Sequence, residues 1–234
     1  MTQKKSNRRR FITGLGAAAA AAGASAVGAS AQTPAAGRFQ SARHEGDAWM
    51  DKLPGKHRMV VDGVTANGAG EAVLFASNLY AANKAGYALG ENDLAIIVVM
   101  RHFATPFAFT DAMWAKYGKG MSSMLNFKDP KSKEAPATNL YNSAAYGLTL
   151  PNLGNTIDAL IKRGTQFAVC DMAMHFAAGQ LAAAGAGEAD AIYKDFAANL
   201  VPNSHIVPAG VVAVNRAQER GYTRGRTSRL KKPS

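Results

Sequence analysis

A chain of 234 residues has room for one α/β domain with additions, and its 47% hydrophobic and 18% charged content excludes wholesale disorder. The formal net charge of +11 sits at the ends: residues 1–31 carry five bases and no acid, residues 216–234 carry seven bases and one acid, and the stretch between is balanced at 15 of each. A neutral body gives no support to a nucleic-acid groove, and a single cysteine, Cys170, excludes an intramolecular disulfide.

Residues 4–31 read as a removable export signal: a basic start, an apolar stretch from Phe11 to Gly28 built mostly of Ala and Gly, then the small-residue site Ala29-Ser30-Ala31. That stretch falls short of the roughly 20 strongly apolar residues a membrane span needs. Within it, residues 7–13, NRRRFIT, resemble the twin-arginine export pattern, with Arg8 and Arg9 as the pair and Asn7 and Thr13 as departures. The resemblance implies passage through the twin-arginine (Tat) translocase, cleavage near Ala31 and a periplasmic mature protein with no transmembrane span. The general secretory route is the alternative.

Residues 32–56 are expected to form an extended lead-in anchored by Trp49. His44-Glu45-Gly46-Asp47-Ala48 is no zinc-binding H-E-x-x-H motif, because Ala48 stands where the second histidine belongs. Arg58–Val64 predicts a first strand, followed by a turn-rich Thr65–Gly70. Gly68 and Gly70 invite a dinucleotide-binding reading, but the third glycine position holds Val73, so a tight turn is the simpler expectation. Glu71–Lys84 then predicts a helix stopped by Gly86. The unbroken apolar run Leu94–Met100 predicts a central strand buried on both faces, ending at Arg101 and His102. Thr105 and Pro106 look like the cap and first residue of a helix that presents Phe109, Ala112, Met113 and Tyr117 and closes at Gly118.

Residues 119–153 are polar and exceed the roughly 12–15 residues of ordinary loops, which suggests a lid, an oligomer contact or a mobile excursion. Asn155–Arg163 predicts a capped helix closed by Gly164. Thr165–Val169 predicts a short buried strand with Cys170 at its C-terminal end, and Asp171 offers a capping oxygen to a helix over Met172–Leu181. A thiol at such a junction lies at the positive end of a helix dipole, which favours thiolate, while the Asp171 charge opposes it. The plain alternative is a buried structural thiol. Glu188–Leu200 predicts a helix, His205–Val207 a last strand, and Pro208-Ala209-Gly210 the start of a final helix, Val211–Glu219. Residues 224–234 read as a solvated basic tail.

The alternation of strands and helices predicts a single α/β domain over residues 57–223: a doubly wound, mostly parallel sheet flanked by helices in a flavodoxin-like, three-layer arrangement. In such sheets the crevice lies at the C-terminal ends of the strands, where Arg101, His102 and Cys170 all fall. The single cysteine ending a strand, after a helix closed by Arg163-Gly164 and before an Ala-rich helix, resembles the DsrE/DsrF-like sulfur-relay family. So does VPAGVVAVNRAQERGY at residues 207–222. The resemblance spans residues 57–223 apart from the 119–153 segment. It implies a homo-oligomer that exchanges sulfur with a donor or acceptor protein through a persulfide on Cys170, requiring no cofactor. Arg101 or His102 would stabilise the anion, with Asp171 next to the thiol; the plain alternatives are Arg101 as a structural ion-pair partner and His102 as a hydrogen bonder at a helix entry. Export is a departure, since the familiar relays act in the cytoplasm.

Two other readings stand beside it. Residues 170–175, CDMAMH, offer thiol, thioether and imidazole ligands for a soft metal such as copper, and helical spacing lets Cys170 and Met174 share a face while Asp171 and His175 share another. Alternatively, the chain is a non-catalytic structural or interaction protein whose thiol is inert. Replacing Arg8 and Arg9 together by Lys is expected to leave the precursor inside the cell, as read by fractionation; unimpaired export of that variant contradicts the twin-arginine assignment.

Overall fold

The computed structural model describes residues 40–227; the export signal expected at 1–31, the start of the expected lead-in at 32–39 and the end of the expected tail at 228–234 lie outside the described residues. From Ser41 onward the described chain is one compact unit. Its sheet has five strands, β1 (His57–Gly63), β2 (Leu94–Met100), β3 (Gln166–Cys170), β4 (Ser204–Val207) and β5 (Thr223–Arg226). All neighbours pair in parallel, in the order β4-β3-β2-β1-β5.

Successive side chains of a strand point to opposite faces, and the two cores divide accordingly. Val61, Ile96, Val98, Met100, Phe167 and Val169 face one core. It is covered by α1 (Ala66–Tyr87), α2 (Asp111–Leu125), α3 (Ile157–Lys162), α4 (Asp171–Ala183) and α5 (Ala189–Ala198). Val60, Ala95, Ile97, Val99, Ala168 and Val207 face the other, against α6 (Gly210–Glu219), Met50 and Tyr222. Every residue of β2 is buried, as its unbroken apolar run predicts. The result is the three-layer, flavodoxin-like α/β arrangement expected, with an all-parallel sheet.

Several boundaries differ, mostly where glycine serves close packing rather than chain reversal. Thr65 caps α1 by accepting a hydrogen bond from the Gly68 amide at 2.8 Å, so the segment read as a turn is already helical. A Cβ on Gly70 would lie 2.7 Å from the Tyr141 ring. The helix runs past Gly86 and ends only where Ala88 takes a left-handed φ of 55°. Thr105 and Pro106 lie in a 3-10 segment, His102–Ala108, not in an α-helix, and Phe109 is extended and bridges Leu200. The α-helix starts later, after Thr110, and continues through Gly118 and Gly120 to Leu125. A Cβ on Gly118 would meet the Pro136 carbonyl oxygen at 2.1 Å, so this glycine admits a crossing chain and does not stop the helix.

The long segment after Gly118 is anchored in the core. Tyr141 is wholly buried, packs on Phe107 at 4.5 Å between ring centres, and donates its hydroxyl hydrogen to the Ala66 carbonyl at 2.8 Å. The side-chain amide of buried Asn139 donates to the carbonyls of Phe107 and Phe109. This buried part is structural, which corrects the reading of the whole segment as a lid or mobile excursion. The supposed tail is corrected too: residues 223–226 form edge strand β5 on β1. Backbone pairing at a sheet edge needs no apolar side-chain pattern, so the sequence carried no sign of it.

If the 119–153 segment is core, Tyr141→Ala should cost about 3–5 kcal/mol and Tyr141→Phe about 1 kcal/mol. Urea unfolding checks this, and near-neutral values for both would return the segment to the surface.

Candidate functional site

The parallel register sets the site. Gly63 pairs with Met100 and Met100 with Val169, so Arg101 and Cys170 emerge side by side at the C-terminal edge of the sheet. Cys170 pairs with Val207 on its other side, just before the chain turns into α6. A cavity of about 230 Å³ opens between these strand ends, lined by Arg101, His102, Cys170, Met172, Ala173, Phe176, Ala209, Gly210 and Val211. Cys170 is 6% exposed and forms part of that wall. Three residues named from sequence, Arg101, His102 and Cys170, are thus brought together.

Cys170 occupies the cap position before α4, with extended backbone. The first turns of α4 and α6 both reach the cavity, through Met172 and Ala173 on one side and Gly210 and Val211 on the other. Unsatisfied amides at helix starts favour negative charge. Among the described residues no acidic side chain lines the cavity. Its electrostatics therefore favour an anion.

Arg101 supplies the charge. Its Nε and Nη2 donate to the two carboxylate oxygens of Asp62 at 2.7 and 3.0 Å. Asp62 is 1% exposed and also accepts from Arg224, the first arginine of the supposed tail. Burial works against the Asp62 charge, but the hydrogen bonds and charges of Arg101 and Arg224 outweigh it and hold the carboxyl below its ordinary pKa. The hydrogen bond to Asp62 in turn holds Arg101 charged, partial burial opposes, and the charge Cys170 carries when ionised acts with Asp62. His102 adopts a left-handed φ of 54° and stacks on Phe103 at 4.0 Å. Desolvation, then the Arg101 charge, push its pKa below the usual imidazole value.

Asp171 departs from its expected role. It is the first residue of α4, not the cap, and it does not line the cavity. Its carboxylate accepts the Tyr193 hydroxyl hydrogen at 2.7 Å, and the His175 ring, stacked on Tyr193 at 3.8 Å, places Nε2 3.7 Å away. The soft-metal pair does not assemble at the cavity either. Met174 is wholly buried in the helix-covered core, while its neighbour Met172 lines the wall. Among the described residues no cluster of three or more His, Cys, Asp or Glu side chains could hold a metal ion. No described helix is long and apolar enough to cross a membrane.

Comparison with family models, with curated proteins and with solved structures finds no match to this chain.

Sequence reasoning missed Asp62, Arg224 and the exposed apolar rim of Met172, Phe176 and Val211. An acid inside the apolar strand sequence VVDG was a signal, since a buried carboxylate needs a cationic partner. Nothing local marked Arg224 as that partner.

Because its pKa is depressed, Asp62 contributes stability in full above the unfolded carboxylate value of about 3.9, and the contribution is lost as pH falls through the lower folded value. Asp62→Asn should lower stability at neutral pH by on the order of 3–5 kcal/mol and flatten the acid limb of the stability curve. Urea midpoints measured from pH 2 to pH 7 check both, and an unchanged acid limb contradicts the assignment.

Proposed function

We propose that this protein is an exported, DsrE-like sulfur carrier in which Cys170 holds sulfane sulfur as a persulfide. The observation that carries the reading is one cavity that joins the Cys170 thiol to the fixed Arg101 guanidinium and to His102, with no acid among the described residues of its wall. A sulfur carrier needs a thiolate that can be reached, and a persulfide that remains anionic until discharged. The Cys170 thiolate attacks the outer sulfur of a donor; the donor's S–S bond breaks and its electron pair leaves with the donor's remaining group. The new S–S bond on Cys170 ends in a negatively charged sulfur beside Arg101. Attack by an acceptor thiolate on that outer sulfur returns the Cys170 thiolate.

The same charge argues against the soft-metal reading, because a guanidinium at the thiol repels a cation and stabilises an anion. The exposed rim favours association with a second protein surface at the cavity mouth: Met172, Phe176 and Val211 are 67, 51 and 57% exposed around one opening. Self-association in the periplasm is part of the proposal.

Incubation with a sulfane-sulfur donor should add the mass of one sulfur to the mature wild type and none to Cys170→Ser, as read by intact-mass spectrometry. An unmodified wild type refutes the carrier reading and leaves the structural or interaction role. Light scattering at micromolar concentration tests the second part, and a clean monomer removes it.

A further inference from the structure

We propose that Asp62 and Gly210 are positioning residues that fix Arg101 as a charge filter at Cys170, so that the site selects reagents bearing negative charge next to the reacting atom. The inference rests on the reading that Cys170 is the reacting thiol, and it adds the class of molecule that thiol receives.

Three observations carry it. The bidentate bond to a carboxylate that is itself buried leaves the Arg101 guanidinium little freedom, since Nε and Nη2 are both committed to Asp62. Gly210 confines the stem: a Cβ there would lie 2.4 Å from the Arg101 Cβ and 2.9 Å from its Cδ, so only glycine lets the arginine stem lie against the start of α6. Nη1 is left without a protein partner among the described residues, on a side chain 20% exposed that lines the same cavity as Cys170. A guanidinium paired through one edge, on a stem confined by the start of α6, presents its other edge to whatever enters. Arg224, by sharing Asp62, keeps that carboxylate in place and offsets its charge.

For sulfur transfer the favoured donor class is a sulfane sulfur attached to an anionic group, with thiosulfate as the simplest example. Attack by the Cys170 thiolate on the outer sulfur of thiosulfate forms the Cys170 S–S bond, breaks the donor's S–S bond and releases sulfite with the bonding pair. Three negative charges stand on each side, and no oxidant or reductant is consumed. An uncharged donor gains nothing from Arg101.

The test separates charge selection from sulfur chemistry by using two alkylating reagents of nearly the same shape, iodoacetate and iodoacetamide. Both require the thiolate, so the ratio of their rates cancels the thiolate fraction and reads the local charge alone. In the folded wild type the iodoacetate-to-iodoacetamide ratio should exceed that of the urea-unfolded chain by about three- to tenfold, the range expected for one charge at a solvent-facing distance of several ångström. Arg101→Gln should abolish the excess, Arg101→Lys should keep part of it, and both Asp62→Asn and Gly210→Ala should lower it. Gly210→Ala, which removes no charge, keeps the proposal testable if Asp62→Asn does not fold. An equal ratio in wild type and Arg101→Gln overturns the charge filter, even where Cys170 still accepts sulfur. A filter that operates in a protein taking no sulfur refutes the carrier reading and leaves the filter standing.

Discussion

The buried Asp62 carboxylate, shared between Arg101 and Arg224, is the interaction on which the working end of the molecule depends. It lies near the end of β1, receives the first residue after β2, and receives the second residue of β5. Three segments distant in sequence thereby converge on two oxygen atoms. A lone ionised carboxylate at this depth is untenable, and a lone guanidinium would swing into solvent; together they satisfy each other and set where positive charge stands beside Cys170. Edge strand β5 belongs to the same arrangement, since Thr227 just beyond it donates to the Asp62 carbonyl at 2.9 Å.

The rest of the sheet follows from packing. Four strands succeed one another across it with their helices on one face, and α6 returns along the other face to place β5 beside β1. That return brings the start of α6 against Arg101 at Gly210, opposite the start of α4 at Cys170. Two helix starts and one arginine therefore converge on a cavity with no acid among the described residues of its wall. Asp171, the nearest acid in sequence, is held by Tyr193 on α5 and faces His175.

Legibility followed the range of the interactions. Strand β2 was plain, because seven consecutive apolar residues between polar neighbours admit few other packings. The junction at Cys170 was readable from local signals, and so was the convergence of Arg101, His102 and Cys170, since strand ends in a parallel sheet share one edge. Tyr141 was not readable as core: it sits in a polar segment, and its partners Phe107 and Ala66 are remote in sequence. Gly70, Gly118 and Gly210 carried the opposite lesson. Each resembles punctuation locally, yet each admits a neighbour from far along the chain, respectively Tyr141, Pro136 and Arg101. Arg224 was hidden among the other bases of a segment whose strand character comes from backbone pairing alone.

Chemistry at Cys170 requires that its sulfur, on a residue 6% exposed, be reached in the folded protein. Labelling of Cys170 by a small thiol reagent across sub-denaturing urea, with unfolding followed in the same samples, decides this most directly. A native cavity predicts a labelling rate that stays flat in urea until the unfolding transition. A rate that instead rises in step with the global unfolding constant from the lowest urea concentrations, and extrapolates without urea to the value that constant sets in water, would show that the thiol reacts only when the chain opens.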